Sequence, residues 1–279
     1  MRYLERLHPL VCFVWFLAVL LGTIFSRNPV ILTESLFGAL FACFLSGERV
    51  SAAFIPAGLV IALSNPLFSR NGATALFFIG DIPYTLEALV YGAVFAEMLM
   101  ASLLWAGFSK RILPGDKIIY LLGKTLPAAG LTLSCALRFL PLFTKRTGEF
   151  YAARGQYSLK GAIRAFSASL SYSAEEAMNA SLTMKQRGYG SGKRTFFSPY
   201  SLNGTELAVL VLTAVFGVSV TVLSALGAGR FFYYPALSAV PVKAADMALY
   251  VIFGCLCLFP AAAVIVENTR RLMAKPVKE

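Results

Sequence analysis

The sequence predicts an all-α, polytopic integral membrane protein of about six spanning helices plus a helical cytoplasmic domain, and three observations carry that expectation. Mean hydropathy is +0.70, with 58% hydrophobic and only 14% charged residues, a balance too apolar for an ordinary soluble domain. Several apolar runs approach the ~20 residues that a spanning helix needs. The basic residues, finally, are gathered into one interval rather than spread along the chain.

In chain order the apolar runs are Leu10 to Phe25, Pro29 to Ser46, Leu86 to Phe108, Glu206 to Leu226 and Asp246 to Val266, with a shorter one, Val50 to Leu63, expected to be bent by Pro56. The first run flows into further runs with no small-residue cleavage site after it, so a cleavable signal peptide is not expected. Cys12, Cys43, Cys135, Cys255 and Cys257 all fall within apolar runs. Their odd number and the C-x-C spacing of the last two fit neither a redox pair nor a zinc pair, and they read as small lipid- or core-facing residues. With His8 as the single histidine, no His-based metal site or Ser-His-Asp triad is expected.

Charge orients the runs. Between Ser109 and Ser201 stand fourteen Lys and Arg against Asp116, Glu149, Glu175 and Glu176, which accounts for ten of the eleven net positive charges. Short Lys/Arg-rich loops stay in the cytoplasm, so the chain reads as N-terminal membrane helices over 1–108, a basic cytoplasmic domain over 109–205 and C-terminal membrane helices over 206–279. Arg2 and Arg6, Glu48 and Arg49, and Arg270, Arg271, Lys275 and Lys278 sit where N-in, C-in topology puts them, whereas the loops around Arg27, 64–85 and 227–245 carry few charges. The stretch Ile118 to Phe143 is apolar enough for a seventh span but contains Lys124, Pro127 and Arg138. Broken helices at the cytoplasmic face are expected there, with anionic lipid favoured over nucleic acid as the contact of the basic patch.

Residues 184–195, MKQRGYGSGKRT, resemble a phosphate-binding loop only superficially. A P-loop requires glycine where Arg187 stands and Ser or Thr where Arg194 stands. Ser173-Ala174-Glu175-Glu176 has the form of a capping box, Ala174, Ala177, Met178, Ser181 and Met184 or Lys185 recur at helical spacing, and Gly188 suits a left-handed C′ position. Arg187 is then a cation at a helix C-terminus. A second helix, from Pro141 to Arg154, closes in the same way with Arg154-Gly155, 33 residues earlier. A guanidinium offers a fixed fork of donors suited to a carboxylate, so two such helix tips in a basic domain point to an acidic cleft on a soluble partner.

Ser64-Asn65-Pro66-Leu67-Phe68 with Gly72, Thr85-Leu86-Glu87-Ala88-Leu89, Leu137-Arg138-Phe139-Leu140-Pro141, the two Arg-Gly pairs and Arg187-Gly188-Tyr189-Gly190 with Lys193-Arg194-Thr195 follow in order from about residue 60 to 196. In this the chain resembles the transmembrane T component of energy-coupling factor (ECF) transporters, the group that includes the CbiQ-like cobalt and nickel permease subunits. The resemblance implies a non-enzymatic subunit of the prokaryotic cytoplasmic membrane that binds no cofactor directly. It would link two ATP-binding-cassette ATPases, which hydrolyse ATP, to a membrane S component that captures a vitamin or metal ion. It also implies that two short motifs, here Ala153-Arg154-Gly155 and Gln186-Arg187-Gly188, dock on the ATPases, with Gln186 departing from the usual alanine.

Glu34, Glu87 and Glu97 fall within or at the edge of spans, where an ionisable group carries a functional expectation. Glu87 is expected to favour a helix N-terminus, and Glu97, also unlike the family pattern, to make an interior polar contact with the S component. Gly38, Ala39, Ala42, Gly92, Ala93 and Ala96 suit either helix packing or an S-component surface. No cluster at catalytic spacing supports an intramembrane enzyme. An autonomous secondary transporter is the alternative, although related halves around a midplane site are not evident in a plan of four spans, a basic domain and two spans.

Overall fold

A computed structural model of the chain describes residues 7–47, 51, 53–68, 72–79, 82–153, 158–192 and 200–273. Arg2, Arg6, Glu48, Arg49, Lys275 and Lys278, part of the expected charge asymmetry, lie outside the described residues. The described elements are α1 (Pro9–Phe25), α2 (Pro29–Ser46), α3 (Phe54–Phe68), β1 (Ala75–Ile79), β2 (Ile82–Thr85), α4 (Leu86–Ile112), α5 (Gly115–Thr125), α6 (Pro127–Ala153), α7 (Leu159–Gln186), α8 (Gly204–Ala225) and α9 (Ala244–Met273). They divide into two compact units, Met1–Pro114 with Leu202–Glu279, and Gly115–Ser201.

The chain is a helical, multi-pass membrane protein. Among the described residues α2, α4, α6, α8 and the Ala244–Ile265 part of α9 are long and apolar enough to cross a bilayer, while α1 and α3 are apolar but shorter, at 17 and 15 residues. Three local expectations are corrected. Pro56 lies in the first turn of α3 and bends nothing, because the N–H it lacks has no intrahelical partner there; the proline inside that helix is Pro66. The segment expected as broken helices breaks only near Leu126, and from Pro127 it runs unbroken for 27 residues. A small antiparallel hairpin, β1 with β2, interrupts the otherwise helical plan.

Helix ends in the larger unit follow their sequence signals. His8 Nδ1 accepts from the Leu10 N–H with Pro9 at the first helical position, and Asn28 Oδ1 accepts from Val30 N–H at 2.9 Å with Pro29 behind it. Gly47 closes α2 at φ +69°, and Asn203 with Glu206 forms a capping box on α8.

Lipid supplies no hydrophobic force between helices, so close packing and polar contacts must hold them. Trp15 and Trp105 meet edge-on at 5.5 Å with Phe108 against both, and all three are almost wholly buried. Each indole N–H is satisfied: Trp15 donates to the Leu256 carbonyl at 2.9 Å, and Trp105 to Ser35 Oγ at 3.0 Å, which lies 2.7 Å from Thr23 Oγ1. That chain of contacts ties α1, α2, α4 and α9. Gly38, Ala39, Ala42, Gly92 and Ala96 are buried inside this unit, while Ala93 is exposed. Five of those six small residues are therefore spent on packing within the chain.

The three charge-poor loops converge at one end of the unit. Asn28 Nδ2 donates to Tyr250 Oη at 2.7 Å and to the Gly229 carbonyl, Tyr233 donates to the Arg27 carbonyl at 2.7 Å, and the Ala73 N–H donates to the Pro235 carbonyl. Asp246 holds the 227–243 loop by accepting from Gly229 N–H at 2.7 Å and Lys243 N–H at 3.0 Å. At the other end Arg111 donates to the Ser46 carbonyl. A Cβ on Gly92 would fall on the Ala62 carbonyl and the Asn65 side chain of α3, whereas Gly107 faces open space. Gly92→Val is expected to cost about 1–3 kcal/mol and Gly107→Ala to be neutral or stabilising, read as thermal midpoints of the detergent-solubilised chain.

Candidate functional site

The unit Gly115–Ser201 is built on two close helix approaches. Pro127 starts α6 directly after α5, and a Cβ on Gly130 would strike the Gly123 backbone, so two glycines let the two helices touch. Beyond this, α6 and α7 cross at a pair of hydroxyls: Thr147 Oγ1 lies 2.9 Å from Ser169 Oγ, which donates to the Phe166 carbonyl. Ser169 and Ala165 are buried there. Phe143 meets Phe166 edge-on at 5.6 Å, Phe150 meets Tyr172 at 6.4 Å, and the Arg146 guanidinium stands 5.1 Å above the Tyr172 ring. The Arg146–Glu149 pair is half-exposed and adds little.

Two expected helix starts are overridden by this packing. Pro141 lies inside α6, whose first-turn proline is Pro127, and Ser173 lies inside α7, which starts after Ser158. The stripe of Ala174, Ala177, Met178 and Ser181 faces outward as exposed surface. The face of α7 turned toward α6 is offset from it and carries Glu176, Asn179, Ala180, Thr183, Met184 and Arg187.

The C-terminal end of α7 is as the sequence signals it. Gly188 has φ +83°, its N–H bonds the Lys185 carbonyl, and the Tyr189 N–H bonds the Met184 carbonyl, both at 3.0 Å. This is the Schellman pair of bonds, with Arg187 as the capping residue. The Arg187 side chain is exposed and has no hydrogen bond or ion pair to the described residues. Gln186, the last helical residue, is exposed beside it. Ala153 ends α6 and is likewise exposed, whereas Arg154 and Gly155, and also Lys193, Arg194 and Thr195, lie outside the described residues.

The N-terminal half of α6 and the C-terminal half of α7 enclose an open cleft of about 400 Å³. Arg138 enters it from α6, and Glu176, Asn179, Thr183 and Arg187 from α7, over an apolar floor that includes Phe139, Leu142 and Met184. Neither Arg138 nor Arg187 is paired with a carboxylate among the described residues. The place of Arg138 in this cleft was not legible from spacing, because it depends on where α6 crosses α7.

The intramembrane acids divide in role. Glu87, buried at the first turn of α4, accepts from Thr74 Oγ1 at 2.7 Å and from the Thr74 N–H, clamping the hairpin to the helix; a Cβ on Gly72, which has φ +151°, would collide with that carboxylate and with Thr85. Glu97 is half-buried on α4, near Tyr233, whose phenol is pushed above its ordinary range by burial first and by the Glu97 charge second. Glu34 Oε2 is buried with no hydrogen-bond partner among the described residues, close to Gly254 of α9. Among the described residues no group of three or more His, Cys, Asp or Glu is placed to hold a metal ion.

No protein-family model matches the chain, and no curated protein matches it. The cap makes its own prediction. Gly188→Ala places a side chain in the left-handed region at a cost of about 1–2 kcal/mol, whereas asparagine is tolerated there. Amide exchange at Tyr189 is expected to quicken roughly five- to thirtyfold in Gly188→Ala and less in Gly188→Asn, with the thermal midpoint of the chain little changed.

Proposed function

We propose that this chain is the transmembrane coupling subunit of an ECF-type ATP-driven importer, joining two cytoplasmic ATP-binding-cassette subunits, identical or paired, to a membrane S component that binds a vitamin or transition-metal ion. The observation that carries the reading is the end of α7: a long helix closed by a glycine cap so that Arg187 stands at its tip with no carboxylate partner among the described residues. Around it the unit is strongly basic, with twelve Lys and Arg against four Asp and Glu over residues 115–201. The order of motifs from Ser64 to Thr195 supports the same reading by resemblance. On the positive-inside rule the proposed site is the prokaryotic cytoplasmic membrane, with both termini and the basic unit on the cytoplasmic side.

In this role the chain does no bond chemistry. ATP binding draws two ATPases together, and a helix held at its tip by charge-assisted bonds follows that movement. Coupling requires that the contact differ between the two ATPase states. Glu97 remains the proposed S-component contact, being half-buried on an apolar helix with no hydrogen bond to the described residues.

The test is co-purification of ATPase subunits from membranes with the wild type, Arg154→Glu, Arg187→Glu and the double variant, each checked for insertion. A desolvated pair broken on one side costs about 2–5 kcal/mol, so Arg187→Glu is expected to weaken ATPase binding about 30-fold or more. Equal recovery from all four variants would sink the docking role of the Arg-Gly tips. A wild type that brings down no ATPase and transports alone in liposomes would establish the autonomous carrier instead.

A further inference from the structure

Glu34 stands apart from the other acids of the spans. Glu87 is supplied with donors by Thr74 and Glu97 lies near Tyr233, but Oε2 of Glu34 is closed off where α2 meets α9, with no hydrogen-bond partner among the described residues. We infer that Glu34 is a proton-binding site built into the seam between α2 and α9, a carboxylic acid whose proton lets the two helices close on each other. The site is independent of the coupling role proposed above.

The donors around Glu34 are already engaged. On α9 the Tyr250 hydroxyl donates to the Pro241 carbonyl at 3.2 Å and accepts from Asn28, and on α2 the Thr33 hydroxyl donates to the Val30 carbonyl. Ser35 Oγ accepts from the Trp105 indole and meets Thr23 Oγ1. No cation answers the carboxyl either. The titratable groups that face it are Tyr250 and Cys257 of α9, and both are acids. Along α1 there is no charged residue. On α4, Glu87 is bound to Thr74, Tyr91 and Glu97 lie toward Tyr233, and Lys110 and Arg111 stand in the last turn. Arg111 holds the Ser46 carbonyl, twelve residues along α2 from Glu34 and so about 18 Å away. Arg27, exposed ahead of α2, and Asp246, which accepts from the Gly229 and Lys243 N–H groups, make no bond to Glu34 among the described residues.

A carboxylate so placed has neither donor nor counter-ion, and such a group takes up a proton rather than keep its charge. A side chain of another membrane subunit does not reach Oε2, because this chain itself seals that atom. The seam is tight one turn further along: a Cβ on Gly38 would strike the Cys257 Cβ, whereas Gly254 leaves room for the carboxyl, a Cβ there coming 3.6 Å from Oε2. Charge on Glu34 is therefore relieved only by letting water between the helices, which parts α2 from α9 at Gly38 and Cys257. Since the closed seam holds the protonated form, stability is complete at low pH and is withdrawn as rising pH removes the proton.

The experiment treats the full chain in its own membranes with dicyclohexylcarbodiimide near neutral pH and maps adducts by peptide mass spectrometry. This apolar reagent needs the acid form. The carboxyl proton passes to one carbodiimide nitrogen, a carboxyl oxygen bonds to the central carbon, and the acyl group then migrates to the other nitrogen, so the whole reagent stays as an N-acylurea with no leaving group. Partial exposure of the Glu34 side chain gives the reagent access. The adduct at Glu34 is expected at least about tenfold above those at Glu87, whose carboxylate is hydrogen-bonded, and at exposed Glu175. In detergent, the thermal midpoint of the wild type is expected to fall at least about 4 °C further than that of Glu34→Gln between about pH 6 and about pH 9. Glu34→Met takes the place of Glu34→Gln if that variant fails to insert.

No adduct at Glu34, an adduct no stronger than those at Glu87 or Glu175, or equal pH responses of the wild type and the neutral variant overturns the site. Neither readout involves the ATPases, so the proton site stands or falls apart from the coupling role.

Discussion

Two hydroxyls 2.9 Å apart, Thr147 Oγ1 and Ser169 Oγ, mark the point where α6 crosses α7, and which side chains of the two helices share a cleft follows from that point. Small buried residues at the crossing, Ala165 and Ser169, let the backbones approach, while the Phe143–Phe166 and Phe150–Tyr172 pairs fill the flanks. A shift of one residue at the crossing would turn each facing side chain by about 100° around its helix. Arg138 and Arg187 would then no longer share a cleft. The geometry of that cleft is thus held by packing several turns away from the residues that line it.

The membrane unit answers a different constraint. With lipid outside, its helices gain nothing by hiding apolar surface from one another, and they associate through small residues and satisfied polar groups. Gly38 against Cys257, Gly92 against Ala62, and the Thr23–Ser35–Trp105 chain are the instruments of that association. At one end, Asn28, Tyr233 and Asp246 bind loops distant in sequence into a single polar mesh, and Glu87 fastens the hairpin to α4. Those contacts leave a scaffold whose apolar exterior suits lipid, with Phe44, Ile55 and Val218 among its exposed side chains.

How far the site was legible depended on whether each signal was local. Gly188 was readable because a left-handed residue closes that helix end, and glycine enters that conformation without a side-chain penalty. Pro141 and Ser173 were misread for the same kind of reason in reverse. Each is a good helix start by its own chemistry, yet hydrogen bonding on both sides and the burial of the face around Ser169 carry the helix through them. Pro141 costs α6 one backbone bond, which a 27-residue helix absorbs. Glu87 was expected merely to favour a helix N-terminus, and its actual partner, Thr74, lies across a hairpin that local pattern did not announce.

By itself the sequence determined the solvent of this protein, its helical class, the runs that form its membrane helices, the interval that concentrates its positive charge and the glycine that ends α7. These follow from hydropathy, periodicity and single-residue conformational limits, which act over a few residues. Only the tertiary structure decided that α6 runs unbroken from Pro127, that five of the six small residues singled out in the spans are consumed inside the chain, and that Arg138 joins Glu176 and Arg187 around one cleft. The physical reason is that a crossing point between helices is chosen by the fit of whole faces, and no stretch of either helix contains that information alone.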